Sequence, residues 1–361
     1  MRQLSDPHRG PAGLLSRDSA SPARGLTVIV PAYNEAADIA DTIRSIQAQT
    51  TPPAEILVVD DFSDDGTGDA ARACGVRVLR PPRNTGSKAG AQNFALEHVT
   101  TPFTMAIDAD TTLAPDAIEK LMAAFADPTL AAACGFVVPR RVETLWERGR
   151  YVEYLFAFTL YKPVQDYYER PMISSGCFSA YRTEALREQG GWSTRTLAED
   201  MDLTWSFYAR GRGVRFVAEA VCYPIEPRDY GFMSKQLRRW SHGFIQNVRL
   251  HWRDLSQVPW LRAIVAVCLW DAVVATLAFF VLLPVLAALV SPWFLLGYLV
   301  DAPAVLVPVL YKAHERGEVG RALASLPGFF VLRTVNAWFI LRAFWLEMIV
   351  RKPLLVYEKG H

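Results

Sequence analysis

Between Leu26 and Asp110 the chain alternates short, unbroken apolar runs with stretches whose apolar residues recur every three to four positions. Runs without polar alternation mark strands covered on both faces, and residues 26–30, 56–59, 76–79 and 103–107 fit that pattern. Ile39, Ile43 and Ile46 share one helical face, as do Ile118, Leu121, Met122 and Phe125 beyond the fourth strand. Strand and helix in alternation predict a parallel α/β sheet. Ligands of such sheets bind beyond the carboxyl ends of the strands, so residues 31–35, 60–67 and 108–110 are expected to converge on one crevice.

The last third reads differently. Residues 261–290 are nearly all apolar, long enough to cross a hydrocarbon core of ~30 Å. Residues 292–310 carry Asp301 and prolines, and residues 327–350 carry Arg333, Asn336, Arg342 and Glu347, so both segments read as crossings or as re-entrant or interfacial pieces. About three membrane helices are expected. An acid at mid-bilayer costs ~2.5 to 3.5 kcal/mol, so Asp271 must face protein or water. The linker 311–325, with Lys312, Arg316 and Arg321, suits a cytoplasmic loop, whereas Arg351 and Lys352 fit a third crossing less well.

Composition narrows the function. A formal net charge of +1 over 361 residues gives no bulk basis for binding nucleic acid. Five cysteines, widely spaced and without a C-x-x-C pair, argue against a disulfide framework or a zinc site. Residues 1–24 have no sustained apolar run and read as a disordered tail. The expected organisation is that tail, an α/β domain over 25–229, amphipathic interface helices over 230–258 and a membrane region over 259–361.

The chemistry-bearing residues sit where the strands end. VIVPAYNE places Tyr33 to lie against a base and Asn34 or Glu35 to hydrogen-bond nearby. VVDDFSDDGT puts Asp60 and Asp61 at the second strand end, with Asp64 and Asp65 better explained by turn and cap chemistry. NTGSKAGAQN opens a helix with glycines and brings Lys88 toward a diphosphate. Asp108 and Asp110 form a D-x-D pair able to hold a divalent cation against phosphate oxygens; Asp200 and Asp202 form a second such pair. Small residues around Gly176 permit close approach of an acceptor sugar. Glu199 or Asp200 can serve as general base, with an Asp at a helix N-cap as the competing reading. In QLRRW, Gln236, Arg239 and Trp240 offer a flat aromatic face and charge, on a helix that also suits anionic lipid; Phe244, Val248, Trp252 and Leu255 extend its apolar stripe toward the membrane.

Taken in order, VIVPAYNE, the DD pair, DAD, the ED of LAED and QLRRW resemble the second family of nucleotide-sugar glycosyltransferases. The resemblance spans about residues 26–255 and lies in the processive membrane branch of cellulose, hyaluronan, chitin and poly-N-acetylglucosamine synthases. It implies a GT-A nucleotide-sugar-binding domain followed by C-terminal transmembrane helices, with the catalytic domain at the cytoplasmic face of the cell membrane. In that likeness Tyr33, Glu35 and Asp61 hold the nucleotide, Lys88 approaches the diphosphate, Asp108 helps bind donor and Asp110 ligates Mg²⁺ or Mn²⁺. Asp200, beside Glu199, is the base of an inverting displacement, and Gln236, Arg239 and Trp240 close over donor and acceptor.

Two features depart from the branch: Ala198 stands where many members have Thr, and no membrane helices precede the catalytic domain. The expected donor is UDP-N-acetylglucosamine or UDP-glucose and the product a growing polysaccharide, which either is exported with the help of an oligomer or a partner subunit or is not exported at all. The alternatives are single transfer to a lipid acceptor, a polyprenyl phosphate or diacylglycerol, and a catalytically silent scaffold subunit.

Overall fold

The computed structural model describes residues 25–354; the tail expected over 1–24 lies outside them. Eight strands make one mixed sheet: β1 (Leu26–Ala32), β2 (Glu55–Asp60), β3 (Arg77–Leu79), β4 (Phe103–Ile107), β5 (Thr112–Leu113), β6 (Leu130–Val137), β7 (Phe178–Arg182) and β8 (Gly213–Tyr223). Their order is β3-β2-β1-β4-β7-β6-β8-β5. β1 pairs in parallel with β2 and β4, and β2 with β3, which is the arrangement the alternating pattern predicts. Beyond β4 the sheet changes character. β7 runs antiparallel between β4 and β6, arriving after a long excursion instead of one crossover helix. The expected strand 76–79 shrinks to Arg77–Leu79 and is only partly covered, because it is the edge of the sheet.

Alternate strand residues feed opposite layers, as the period of two requires. Val28 and Val30 join the layer with Ile39, Ile43 and Ile46, while Ile29 joins Leu57 and Val59 in the other. The helices of the domain are α1 (Ile39–Gln47), α2 (Thr67–Ala73), α3 (Lys88–Leu96), α4 (Ala117–Ala123), α5 (Leu145–Phe156), α6 (Lys162–Tyr167), α7 (Thr183–Glu188), α8 (Glu199–Ala209), α9 (Tyr230–Leu250) and α10 (Trp252–Gln257). The apolar stripe of α9 and α10 is largely covered by protein. Phe244, Val248 and Leu255 pack into the core beside Trp205, and of the stripe expected to reach the membrane only Trp252 is exposed.

Three C-terminal helices, α11 (Leu261–Leu289), α12 (Pro292–Glu315) and α13 (Val319–Val350), are long and apolar enough to cross a membrane. The charges that interrupt their pattern meet one another. Arg333 donates to Asp271 at 2.8 Å, to Asp301 at 2.9 Å and to the Thr276 hydroxyl at 3.2 Å, so three helices share one ion cluster. Charged residues in apolar segments are held by pairing of this kind inside the bundle. The loop expected over 311–325 is corrected to a turn of three residues, 316–318, since α12 runs to Glu315 and α13 starts at Val319. Its basic residues instead form pairs at helical spacing, Lys312 with Glu315 and Arg321 with Glu318, which support the two helix ends.

Candidate active site

The turns after β1 and β2 are stitched together by side chains. Ser63 Oγ accepts from the Asn34 amide, Thr67 Oγ1 from Glu35, and the Asp65 carboxylate from Ala36 and Thr67. Asp64 donates its backbone N–H to Asn34 Oδ1. Asp65 is thus a turn residue, as its position predicts. Asp60 is also structural, accepting from Ser63 N at 2.9 Å and Arg80 Nη1 at 2.7 Å. Asp61 differs in aim: its carboxylate takes both the amide and the hydroxyl of Thr85, each at 2.8 Å, fixing the segment that leads into α3. Tyr33 stands exposed at the rim.

Ser87 caps α3 and presents Lys88 as its first residue. The Lys88 ammonium pairs with Asp108, just past β4, and donates to the Gly176 carbonyl at 2.9 Å. Gly176 in turn donates its N–H to Asp200 Oδ2 at 2.8 Å. Four positions far apart in sequence are therefore tied into one knot. A methyl group at residue 176 would lie 2.9 Å from Asp200 Oδ2 and 3.3 Å from Lys88 Nζ, so this closeness requires glycine.

The competing reading of Asp200 as an N-cap is corrected. The N-cap of α8 is Ala198, which makes no side-chain capping bond; Asp200 is the second helical residue, and its Oδ1 accepts from Met201 N at 2.8 Å. Asp202 turns away to pair with Arg195 at 2.7 Å and His251 at 2.6 Å, so the second D-x-D is not a cation pair.

Burial raises the Asp200 carboxyl above its ordinary value, while Lys88 and the Gly176 N–H pull it back. Glu199 is raised by burial and by Asp200, against the opposing fields of Lys88 and Arg239. Asp110 is pushed up most clearly, by burial and then by Asp108, Glu35 and Glu226. Among the described residues no three acid, His or Cys side chains form a ready-made metal site. The chemistry of Asp108 and Asp110 nevertheless suits a hard cation, which takes one or two carboxylates and completes its shell with substrate phosphates.

The opposite wall comes from α9. Gln236 Oε1 accepts from Arg150 Nη2 at 2.7 Å, and the Arg150 guanidinium lies 4.6 Å from the centre of the Trp240 ring. Arg150, fully buried on α5, also pairs with Glu153 and lies 3.3 Å from Glu226. α9 approaches α8 so closely that a methyl group at Gly243 would stand 2.7 Å from Ala198 N. Sequence reading missed Arg150, Glu226 and Thr85. The visible sign of the first was an arginine among Tyr151, Val152 and Leu155 on the apolar face of α5.

Residues 27–190 match the family described as Glycosyl transferase family 2. Poly-beta-1,6-N-acetyl-D-glucosamine synthase of Staphylococcus epidermidis is 26% identical over 235 residues, covering 64% of this chain and 57% of that protein. The Staphylococcus aureus protein of the same name is 26% identical over 223 residues, covering 61% and 54%. The chain thus spans just over half the length of these relatives. A mannosyltransferase from Pyrobaculum calidifontis, solved with GDP-Man and Mn²⁺, shares the fold with a TM-score of 0.58 and 23% identity, covering 91% of this chain and 87% of its own.

Proposed function

From the premise that residues 27–190 form a glycosyl transferase family 2 domain, we propose that the chain is a membrane-bound, inverting, processive glycosyltransferase. It uses a UDP-sugar, UDP-N-acetylglucosamine or UDP-glucose, and extends a polysaccharide at the cytoplasmic face. The observation that carries this reading is the knot of Lys88, Asp108, Gly176 and Asp200, which sets a cation for the diphosphate beside a half-buried carboxylate.

In this reading Tyr33, Glu35 and Asp61 hold the nucleotide, Asp108 and Lys88 orient the diphosphate, and Asp110 would hold Mg²⁺ or Mn²⁺. The ion, when bound, supplies charge stabilisation to the departing nucleoside diphosphate. Asp200 accepts the acceptor hydroxyl proton as the new C–O bond forms and the bond to the diphosphate breaks on the opposite face. Burial makes its carboxylate a better base, and the Gly176 N–H fixes its direction. Glu199 supports the same field, Gly176 leaves room for the acceptor, and Gln236, Arg239 and Trp240 close over both sugars. A small helical region favours a second reading, single transfer to a lipid acceptor, since only three apolar helices occur among the described residues.

The test is a screen of UDP- and GDP-sugars on detergent-purified protein with Mg²⁺ or Mn²⁺, following nucleoside diphosphate release and sizing the product. A long polymer from one UDP-sugar is the expected result. A single sugar on lipid establishes the second reading, and no release from any donor, with or without lipid, overturns both in favour of a silent or partner-dependent subunit.

A further inference from the structure

α13 passes the length and composition requirements of a membrane span, yet both of its ends rest on the catalytic domain. At the first end, Glu318, its N-cap, accepts from the Tyr151 hydroxyl of α5 at 3.0 Å. At the last, buried Glu347 pairs with His242 at 2.7 Å and accepts from Gln246 Nε2 at 2.8 Å, both on α9. Gln246 itself accepts from the Leu197 amide at 3.0 Å, two residues before the acids of α8. Between these ends α13 stays in contact. A methyl group at Gly149 of α5 would stand 2.6 Å from the Gly328 carbonyl, and Leu332 and Phe339 pack with Met233 and Leu237 of α9. A helix of 32 residues is about 48 Å long at ~1.5 Å per residue, longer than a hydrocarbon core of ~30 Å. If it crossed, its two ends would lie on opposite sides of the bilayer, and one folded domain cannot touch both.

The helix is also two-faced. Leu323, Val331, Trp338, Leu341, Trp345 and Ile349 are exposed and fall within one sector at 100° per residue, opposite the buried Ser325, Leu332, Ala343 and Glu347. Of the most apolar stretch of α13, 33% is buried inside the protein, against 11% in α11 and in α12. Arg351 and Lys352, which sit awkwardly beyond a third crossing, then stand on the side that carries Lys312, Arg316 and Arg321 at and beside the 316–318 turn, as the distribution of positive charge around membrane segments requires.

We infer that α13 does not cross the membrane but lies along its surface as a brace under the catalytic domain, with the stripe from Leu323 to Ile349 facing lipid. The membrane hairpin is then α11 and α12 alone. Arg333 ties the brace to it through Asp271 and Asp301. Leu354, the last described residue, then lies on the side of the catalytic domain, where its carbonyl accepts from Gln246 Nε2 at 2.9 Å.

Two variants with one added exposed cysteine test this, His314→Cys and Lys352→Cys, each in a background with the partly exposed Cys74, Cys177 and Cys268 changed to Ser and the buried Cys134 and Cys222 retained. Sealed right-side-out and inverted membrane vesicles are treated with an impermeant maleimide. Both positions are expected to label in the same vesicle preparation, whereas labelling from opposite sides overturns the inference. Should the cysteine-depleted chain not fold, an epitope tag after His361 of the otherwise unaltered chain is probed in the same vesicles beside antibody to the catalytic domain. Accessibility on one side supports the brace, and accessibility on opposite sides sinks it. Neither readout depends on sugar transfer.

Discussion

The two walls of the crevice are built by different means. One wall is local: Glu35, Asp61, Lys88, Asp108 and Asp110 each stand within a few residues of a strand end or a helix start, so the backbone aims them. The other is held at a distance. Gln236 and Trp240 owe their placement to Arg150, 86 residues from Gln236, and to the seating of α9 on Ala198 and on α13. A strand-end wall tolerates change elsewhere in the fold, while a wall fixed by one buried ion cluster fails with that cluster.

The largest effect is therefore expected at Arg150. Arg150→Met strands Glu226 and Gln236 without their cation, and breaking a buried pair from one side costs about 3 to 5 kcal/mol. Denaturant unfolding of the detergent-solubilised protein should register that loss, and Arg150→Lys should recover part of it. Unchanged stability in Arg150→Met would show that the wall stands without it.

Glu226 tests the same cluster through pH. Burial raises its carboxyl to about 7, against the opposing pull of Arg150 and the Tyr154 hydroxyl. A folded-state value above the unfolded one means that the folded protein binds the proton more tightly. Its contribution is complete below pH ~4.5 and is lost as pH rises toward ~7, amounting to about 3 kcal/mol. Glu226→Gln should flatten stability over that window, and identical slopes in variant and parent would remove Glu226 as the cause.

At the start of α8, between the two walls, Asp200→Asn should lower turnover at least about a hundredfold, as expected for losing a general base, while nucleotide-sugar binding measured by calorimetry stays nearly intact. Full activity in the variant would end the assignment of Asp200 as base.

How far each wall could be read from sequence follows from this construction. Four strands were legible as unbroken apolar runs, and the helix faces of Ile39 and Ile118 by their period of three to four, because burial in a layered sheet selects neighbouring residues together. Asp108 and Lys88 were legible because strand ends and helix starts are local events. The antiparallel entry of β7 was not, since Ser179 and Arg182 break its apolar run and its partners β4 and β6 lie far away in sequence. Nor was the contact between Arg150 and Trp240, which depends on how α5 and α9 meet. Asp271, Asp301 and Arg333 read as three separate blemishes in apolar segments, and only the packing of three helices makes them one cluster.

Gly176 joins the two kinds of wall and gives the smallest effect. Its carbonyl receives Lys88 from the local wall, and its N–H directs Asp200 at the start of the helix on which α9 is seated. Gly176→Ala adds a methyl group 2.9 Å from Asp200 Oδ2, closer than such contacts stand, so the carboxylate must move by a few tenths of an ångström. Lys88, on a flexible stem, can yield more easily than Asp200. The misplaced base should lower kcat about tenfold, or ~1.4 kcal/mol, with little change in donor KM. If KM rises and kcat holds, the methyl group obstructs the donor instead of the base, and Gly176 belongs to the strand-end wall alone.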